Sequence, residues 1–147
     1  TIQWLKPSLT MSQGDYHSQN EPCLYGWKEG SGRVRVKDRK QTTVWKCDRT
    51  DEKKVHPTMK PVELCQRAVE NSSDVNGIVL DLFGGSGSTL IACEKTARDC
   101  RMMELDPKYC DVIVKRWQDF TGQTATLEGD GRTFDELTPE RTNAVAA

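Results

Sequence analysis

The segment Asp81-Leu-Phe-Gly-Gly-Ser-Gly-Ser-Thr89 packs an acid, three glycines and three hydroxyls between an apolar run, Ile78–Leu82, and the start of a helix. Glycines in such a turn let a ligand press against the backbone, and the helix start supplies unpaired N–H groups. Two phosphate chemistries fail on spacing. A dinucleotide fingerprint needs a glycine three residues after Gly87, where Leu90 stands, and a phosphate loop needs Lys followed by Ser or Thr after its last glycine. What remains is an acid at the end of one strand and Glu104 at the end of the next. In a right-handed β-α-β unit neighbouring strand tips lie side by side, so Asp81 and Glu104 should flank one crevice. The second acid suits the two hydroxyls of a ribose, and the first suits an ammonium. Ribose plus amino acid is S-adenosylmethionine, with Leu105 placed against the adenine face. The competing view makes the turn a packing device, Glu104 a solvated acid and Asp106 a helix cap; joint occurrence at this spacing favours the ligand.

These residues need elements to hold them. Ile2–Leu5 and Cys23–Trp27 are short β-rich runs, expected to pair antiparallel across a long loop. Lys60-Pro61 opens a helix with Pro61 in its first position, burying Val62, Cys65 and Ala68/Val69 and ending near Ser72. Asn76-Gly77 turns into Ile78–Leu82, whose composition predicts a fully buried parallel strand. After the Phe83–Gly87 turn, Ser88–Ala97 reads as helix and Arg101–Leu105 as strand. Asp106 caps and Pro107 starts a helix with a stripe of Tyr109, Val112, Ile113, Arg116/Trp117 and Phe120, stopped by Gly122. Thr124–Leu127 predicts one more strand, and Asn143–Ala147 a frayed end. Alternating helices and strands imply an α/β fold with a mostly parallel sheet and crossover helices.

A chain of 147 residues suffices for one domain with a core. Hydrophobic residues at 35 %, charged residues at 29 % and a net charge of −1 exclude a disordered tail, a collagen-like repeat and a polycation. No run approaches the roughly 20 apolar residues of a membrane helix and no signal segment opens the chain, so a cytoplasmic protein without membrane contact is expected. Six cysteines without a C-x-x-C and only two histidines predict reduced thiols and no metal site. Charge is uneven: residues 28–54 hold ten basic against five acidic side chains, a net of +5, while 55–147 hold ten against fifteen, a net of −5. In the basic arm, strand alternation would put Arg33, Arg35, Lys37 and Arg39 on one face, with Lys40 following and Val34 and Val36 turned inward. A one-sided row fits a phosphate track better than a solvated face does. Trp45 is expected to anchor the arm on the core.

The run His56-Pro-Thr-Met-Lys-Pro61, then Asp81–Thr89, then Glu104-Leu-Asp-Pro-Lys-Tyr109, resembles the permuted, beta-type amino-group DNA methyltransferases that act on adenine N6 or cytosine N4. Tyr16–Trp27 is similar to the strand pair before the recognition region in phage-type members. The resemblance implies an incomplete Rossmann-like S-adenosylmethionine-dependent fold. It assigns His56, Thr58, Lys60 and Pro61 to the methionine end of the cofactor, with His56 positional. Asp81, Phe83, Gly84, Gly85, Ser86, Gly87, Ser88 and Thr89 form the cofactor loop, and Glu104, Leu105 and Asp106 the ribose and adenine side. It divides the chain into a strand pair (1–27), a basic arm acting as a reduced recognition region (28–55), a cofactor subdomain (56–134) and a flexible tail (135–147).

One departure is decisive. The family's catalytic Asp/Ser-Pro-Pro-aromatic tetrad occurs nowhere in these residues, so no catalytic residue is assigned. The tetrad is expected N-terminal to Ile2, making the chain a fragment that is inactive alone and self-associates, as a homodimer or otherwise, through an exposed sheet edge. The function implied is methylation of adenine N6, with cytosine N4 second, in duplex DNA of a bacterium or phage-infected cell. The alternatives are a non-catalytic cofactor- or DNA-binding module and an RNA or small-molecule methyltransferase. Tyr16 and His17 either line a base pocket or stabilise their loop.

Overall fold

A computed structural model describes residues 1–30, 32, 34, 36, 38, 40–47 and 59–145, the last six as backbone alone. The first part is a three-stranded sheet. β1 (Ile2–Thr10) lies at its centre, β2 (Ser18–Cys23) pairs antiparallel to it, and β3 (Val44–Lys46) pairs parallel on the other edge. Alternation along β1 turns Trp4 and Lys6 inward. Trp4 is matched with Trp45 in the register, and the two pack with Cys47 and with Leu64 from the following helix. The Trp4 indole N–H donates to the Cys47 carbonyl at 3.4 Å. The pair is antiparallel as expected, but its second strand is Ser18–Cys23 and not Cys23–Trp27. Leu24 and Trp27 lie beyond it, largely exposed. Backbone pairing to β1 selects a polar stretch there, overriding the β propensity of the aromatics.

The second part alternates. α1 (Val62–Ser72), β4 (Ile78–Asp81), α2 (Ser88–Thr96), β5 (Asp99–Met102) and α3 (Pro107–Thr121) follow in order, and α4 (Phe134–Val145) closes the described chain. α1 is a shared wall: Leu64 joins the tryptophan cluster, while Val62, with Cys65 beside it, packs on Ile91 and Ala92 of α2. Its buried residues are therefore Val62, Leu64 and Val69, whereas Ala68 is exposed and Cys65 half-buried. Two clusters on opposite sides widen the apolar face beyond a single stripe. Pro61 is the cap and not the first helical residue, its φ of −58° leading directly into the turn.

β4 and β5 pair in parallel from Ile78↔Asp99 to Asp81↔Met102, joined by α2 as a crossover. This is the α/β arrangement the sequence implies. β5 begins two residues earlier than expected, because Ala97 in the left-handed region turns the chain straight from α2 into pairing at the Gly77 carbonyl. Nor is β4 buried on both faces: Ile78 is 67 % and Leu80 64 % exposed. The helices cover one face only, and among the described residues nothing covers the other. Thr124–Leu127 forms no strand but a single bridge, Thr126 to Thr133, before α4. A capping box starts that helix, the Thr133 N–H donating to Glu136 Oε2 at 2.8 Å and the Glu136 N–H to Thr133 Oγ1 at 3.3 Å. The Thr-x-x-Glu signal for it stands in the sequence and outweighs the absence of a helical stripe. No helix among the described residues is long and apolar enough to cross a membrane.

Candidate cofactor site

Asp81 ends β4 and Glu104 lies two residues past β5, and backbone hydrogen bonds bring both to the glycine turn. Asp81 Oδ1 accepts the Phe83 N–H at 2.9 Å. Gly84 N–H donates to the Met103 carbonyl at 2.9 Å, stitching the turn to the second strand's end. Glu104 Oε2 accepts the Gly85 N–H at 2.6 Å and its Oε1 the Asp106 N–H at 3.0 Å. These contacts orient the Glu104 carboxylate toward the turn. A cavity of about 240 Å³ opens beside the turn, lined by Met59, Lys60, Cys65, Asp81, Phe83 to Ser86, Ser88 and Thr89. Phe83 and Leu105, 89 % and 97 % exposed, offer two apolar surfaces next to the strand tips. Burial pushes the Cys65 thiol up despite its bond to Thr89, so it presents a neutral group to the cavity and no thiolate nucleophile.

The three glycines differ in purpose. At Gly84 an added Cβ would lie 2.6 Å from Met102 Sδ, and at Gly87, with φ of +80°, 3.3 Å from both Cγ atoms of Ile113. Both permit close packing against α3 and β5. Gly85 alone is open, its φ of +55° aiming an N–H at Glu104. Asp106 caps α3, accepting the Lys108 N–H at 2.9 Å. Ser86 and Ser88 are buried. Ser88 Oγ donates to the Lys60 carbonyl at 2.7 Å, and Arg116 donates to the Ser86 carbonyl at 2.9 Å and to Ser88 Oγ at 3.2 Å. The Ser88 hydroxyl and the Ser86 carbonyl thus build the turn. Arg116 is a site residue that sequence reasoning left in the apolar stripe of α3; a guanidinium on such a stripe is the signal that could have found it.

Lys60 lines the cavity, and its ammonium lies 2.7 Å from Glu21 Oε2 on β2 and 5.4 Å above the Trp4 ring. Glu21 also faces the buried Lys6 at 3.6 Å. The Lys60 hydrogen bond is the main cause holding the Glu21 carboxyl below its usual range. No pattern in the sequence singled out Glu21. Pro61 is buried at the start of α1. His56 and Thr58 lie outside the described residues, as do Arg33, Arg35, Lys37 and Arg39. Lys40 is exposed, its N–H bound to Asp38 Oδ1, while Val34 and Val36 are half-buried. Trp45, 5 % exposed beneath the Arg67 guanidinium, packs with Trp4 and Leu64. Among the described residues no three His, Cys, Asp or Glu side chains gather as a metal site.

Parallel strands joined by a crossover helix, with a glycine turn at one tip and an acid at each, define a Rossmann-like methyltransferase unit. Solved structures agree. The complex of M1.HpyAVI with SAM superposes with a TM-score of 0.67 at 28 % identity, over 79 % of this chain and 60 % of that one. The cytosine-N4-specific PvuII DNA methyltransferase, at 16 % identity, shares the fold with a TM-score of 0.61 over 97 % of this chain and 55 % of its own. The chain belongs to the DNA methylase family of the N6/N4 type, whose model matches residues 2–115. Among curated relatives, the type II methyltransferase M.HinfI of Haemophilus influenzae and the putative methylase YubD of Escherichia coli are each 33 % identical over 98 residues, 67 % of this chain. The chain spans 24 % of the length of the first and 42 % of the second.

Proposed function

We propose that this chain binds S-adenosylmethionine and serves a protein that methylates an exocyclic amine of duplex DNA, adenine N6 first and cytosine N4 second. The observation that carries the reading is the convergence of Asp81 and Glu104 on an open glycine turn with neither phosphate motif. Asp81 takes the ammonium of the methionine part, Glu104 the ribose hydroxyls, and Phe83 and Leu105 the faces of the adenine. With S-adenosylmethionine bound, the target nitrogen would take its methyl group, the N–C bond forming as the C–S bond breaks; the methylated amine would then give up a proton, and S-adenosylhomocysteine would leave. Without a Pro-Pro tetrad among the 147 residues, the groups that hold the extruded base come from outside them, and this chain alone turns over nothing. Nucleoside analysis of DNA methylated by the completed enzyme decides between the two amines.

Calorimetric titration of the chain with S-adenosylmethionine tests the cofactor assignment. Glu104→Ala should weaken binding by about 1.5–3 kcal/mol, the worth of hydrogen bonds to a charged group. Unchanged affinity in that variant would remove Glu104 from the ribose.

The arm is the DNA-binding element in this reading, its net of +5 set against a body of −5. Arg33→Ala, Arg35→Ala and Arg39→Ala together should weaken duplex binding by the completed enzyme. The salt slope should fall by about 0.9 for each phosphate no longer neutralised, with cofactor affinity intact. An unchanged slope would turn attention to Tyr16 through Asn20.

A further inference from the structure

Lys60 links the two halves of the molecule through its ammonium and its carbonyl. Its ammonium holds Glu21 of β2 at 2.7 Å and sits over Trp4 of β1, both in the first sheet. Its carbonyl accepts the Ser88 hydroxyl at 2.7 Å at the start of α2, where the glycine turn ends. Ser88 in turn accepts from Arg116 on α3. A displacement of Lys60 is therefore felt at the first turn of α2, which carries the cavity-lining Ser88 and Thr89. Lys60 is about half exposed and Glu21 a little over a third, so as a mere surface pair they would contribute little. Their geometry is constrained from behind: Lys6, only 6 % exposed, holds the other oxygen of Glu21 at 3.6 Å and is itself fixed by Thr10 Oγ1 at 2.6 Å.

We propose that Glu21 is a positioning residue for the cofactor pocket, acting through Lys60 and Ser88 although it belongs to the other sheet. The inference rests on the reading of the cavity as the S-adenosylmethionine site and adds to it the residue that sets the height of its wall. Glu21 does not touch the ligand. It fixes where the Lys60 backbone, and with it the start of α2, stands. If Lys60 instead served as a direct counter-ion for the cofactor carboxylate, removing Glu21 would release it and strengthen binding. The strut predicts the opposite sign.

The test is titration of the 147-residue chain with S-adenosylmethionine in Glu21→Gln, Lys60→Met, the double variant and Lys60→Arg, each with its thermal midpoint recorded. Each of the first two should raise the dissociation constant about five- to tenfold, the double variant no further than the worse single one, and Lys60→Arg should restore most of the affinity. Lys60→Met leaves the Lys6–Glu21 pair in place, so it reports on the strut even where Glu21→Gln lowers the midpoint. Tighter binding in Glu21→Gln, additive losses in the double variant, or no loss in Lys60→Met with the parent binding normally would overturn the strut alone. A parent chain that takes up no cofactor overturns the site assignment, and the strut with it.

Discussion

Gly87→Val is expected to lower stability by about 2–5 kcal/mol and to abolish cofactor binding as a consequence. A side chain at φ of +80° incurs the left-handed penalty of roughly 1–2 kcal/mol. Its Cβ would already press on both Cγ atoms of Ile113 at 3.3 Å before the two further methyls are added, and overpacking of this kind costs about 1–3 kcal/mol. The added side chain points at α3 and not into ligand space, so the loss begins in the fold. Gly85→Val is the contrast. An added Cβ at Gly85, where φ is +55°, meets nothing nearer than 3.9 Å, so that variant incurs the left-handed penalty of roughly 1–2 kcal/mol without the overpacking, while its side chain crowds the cavity. Urea melts and cofactor titrations of both variants separate the effects. A Gly87→Val chain with parental stability and no cofactor binding would mean that its side chain enters the ligand space after all.

What the sequence made legible is what is decided locally. Asp106, Pro107 and Gly122 bound α3 as expected, since a cap, a preset φ and a left-handed stop act within one turn. The β4–α2–β5 unit was legible because a right-handed crossover leaves few alternatives. What failed was decided by partners. β2 is polar, and only its pairing with β1 makes it a strand. The composition of β4 predicts burial on both faces, yet exposure depends on what lies over Ile78 and Leu80, which periodicity does not encode.

The site divides in the same way. Asp81 and Glu104 converge on the turn as their places at adjacent strand tips required. The roles within the turn were not legible: Ser86 and Ser88 face Arg116, about thirty residues downstream, and Lys60 faces Glu21 in another sheet. Residue types announce which chemistry is available. Which hydroxyl holds the protein together is decided by long-range neighbours that no local pattern carries.

Trp4→Ala should cost about 3–5 kcal/mol, the usual range for deleting a buried aromatic side chain, and should unfold the first sheet selectively. Trp4 is 1 % exposed and is the largest fully buried side chain among the described residues. It fills the space between Trp45, Cys47 and Leu64, bonds the Cys47 carbonyl and lies under the Lys60 ammonium. A cluster of four buried residues has little to collapse into the space left behind, and the loss is large beside the roughly 5–15 kcal/mol that hold a domain together. The second cluster, Val62 with Ile91 and Ala92, shares with the first only the α1 helix. Hydrogen exchange should therefore show protection lost from β1 to β3 and kept in α2 and β5, with Trp4→Phe recovering much of it. Equal loss of protection in both sheets would show that α1 couples the clusters into one cooperative unit.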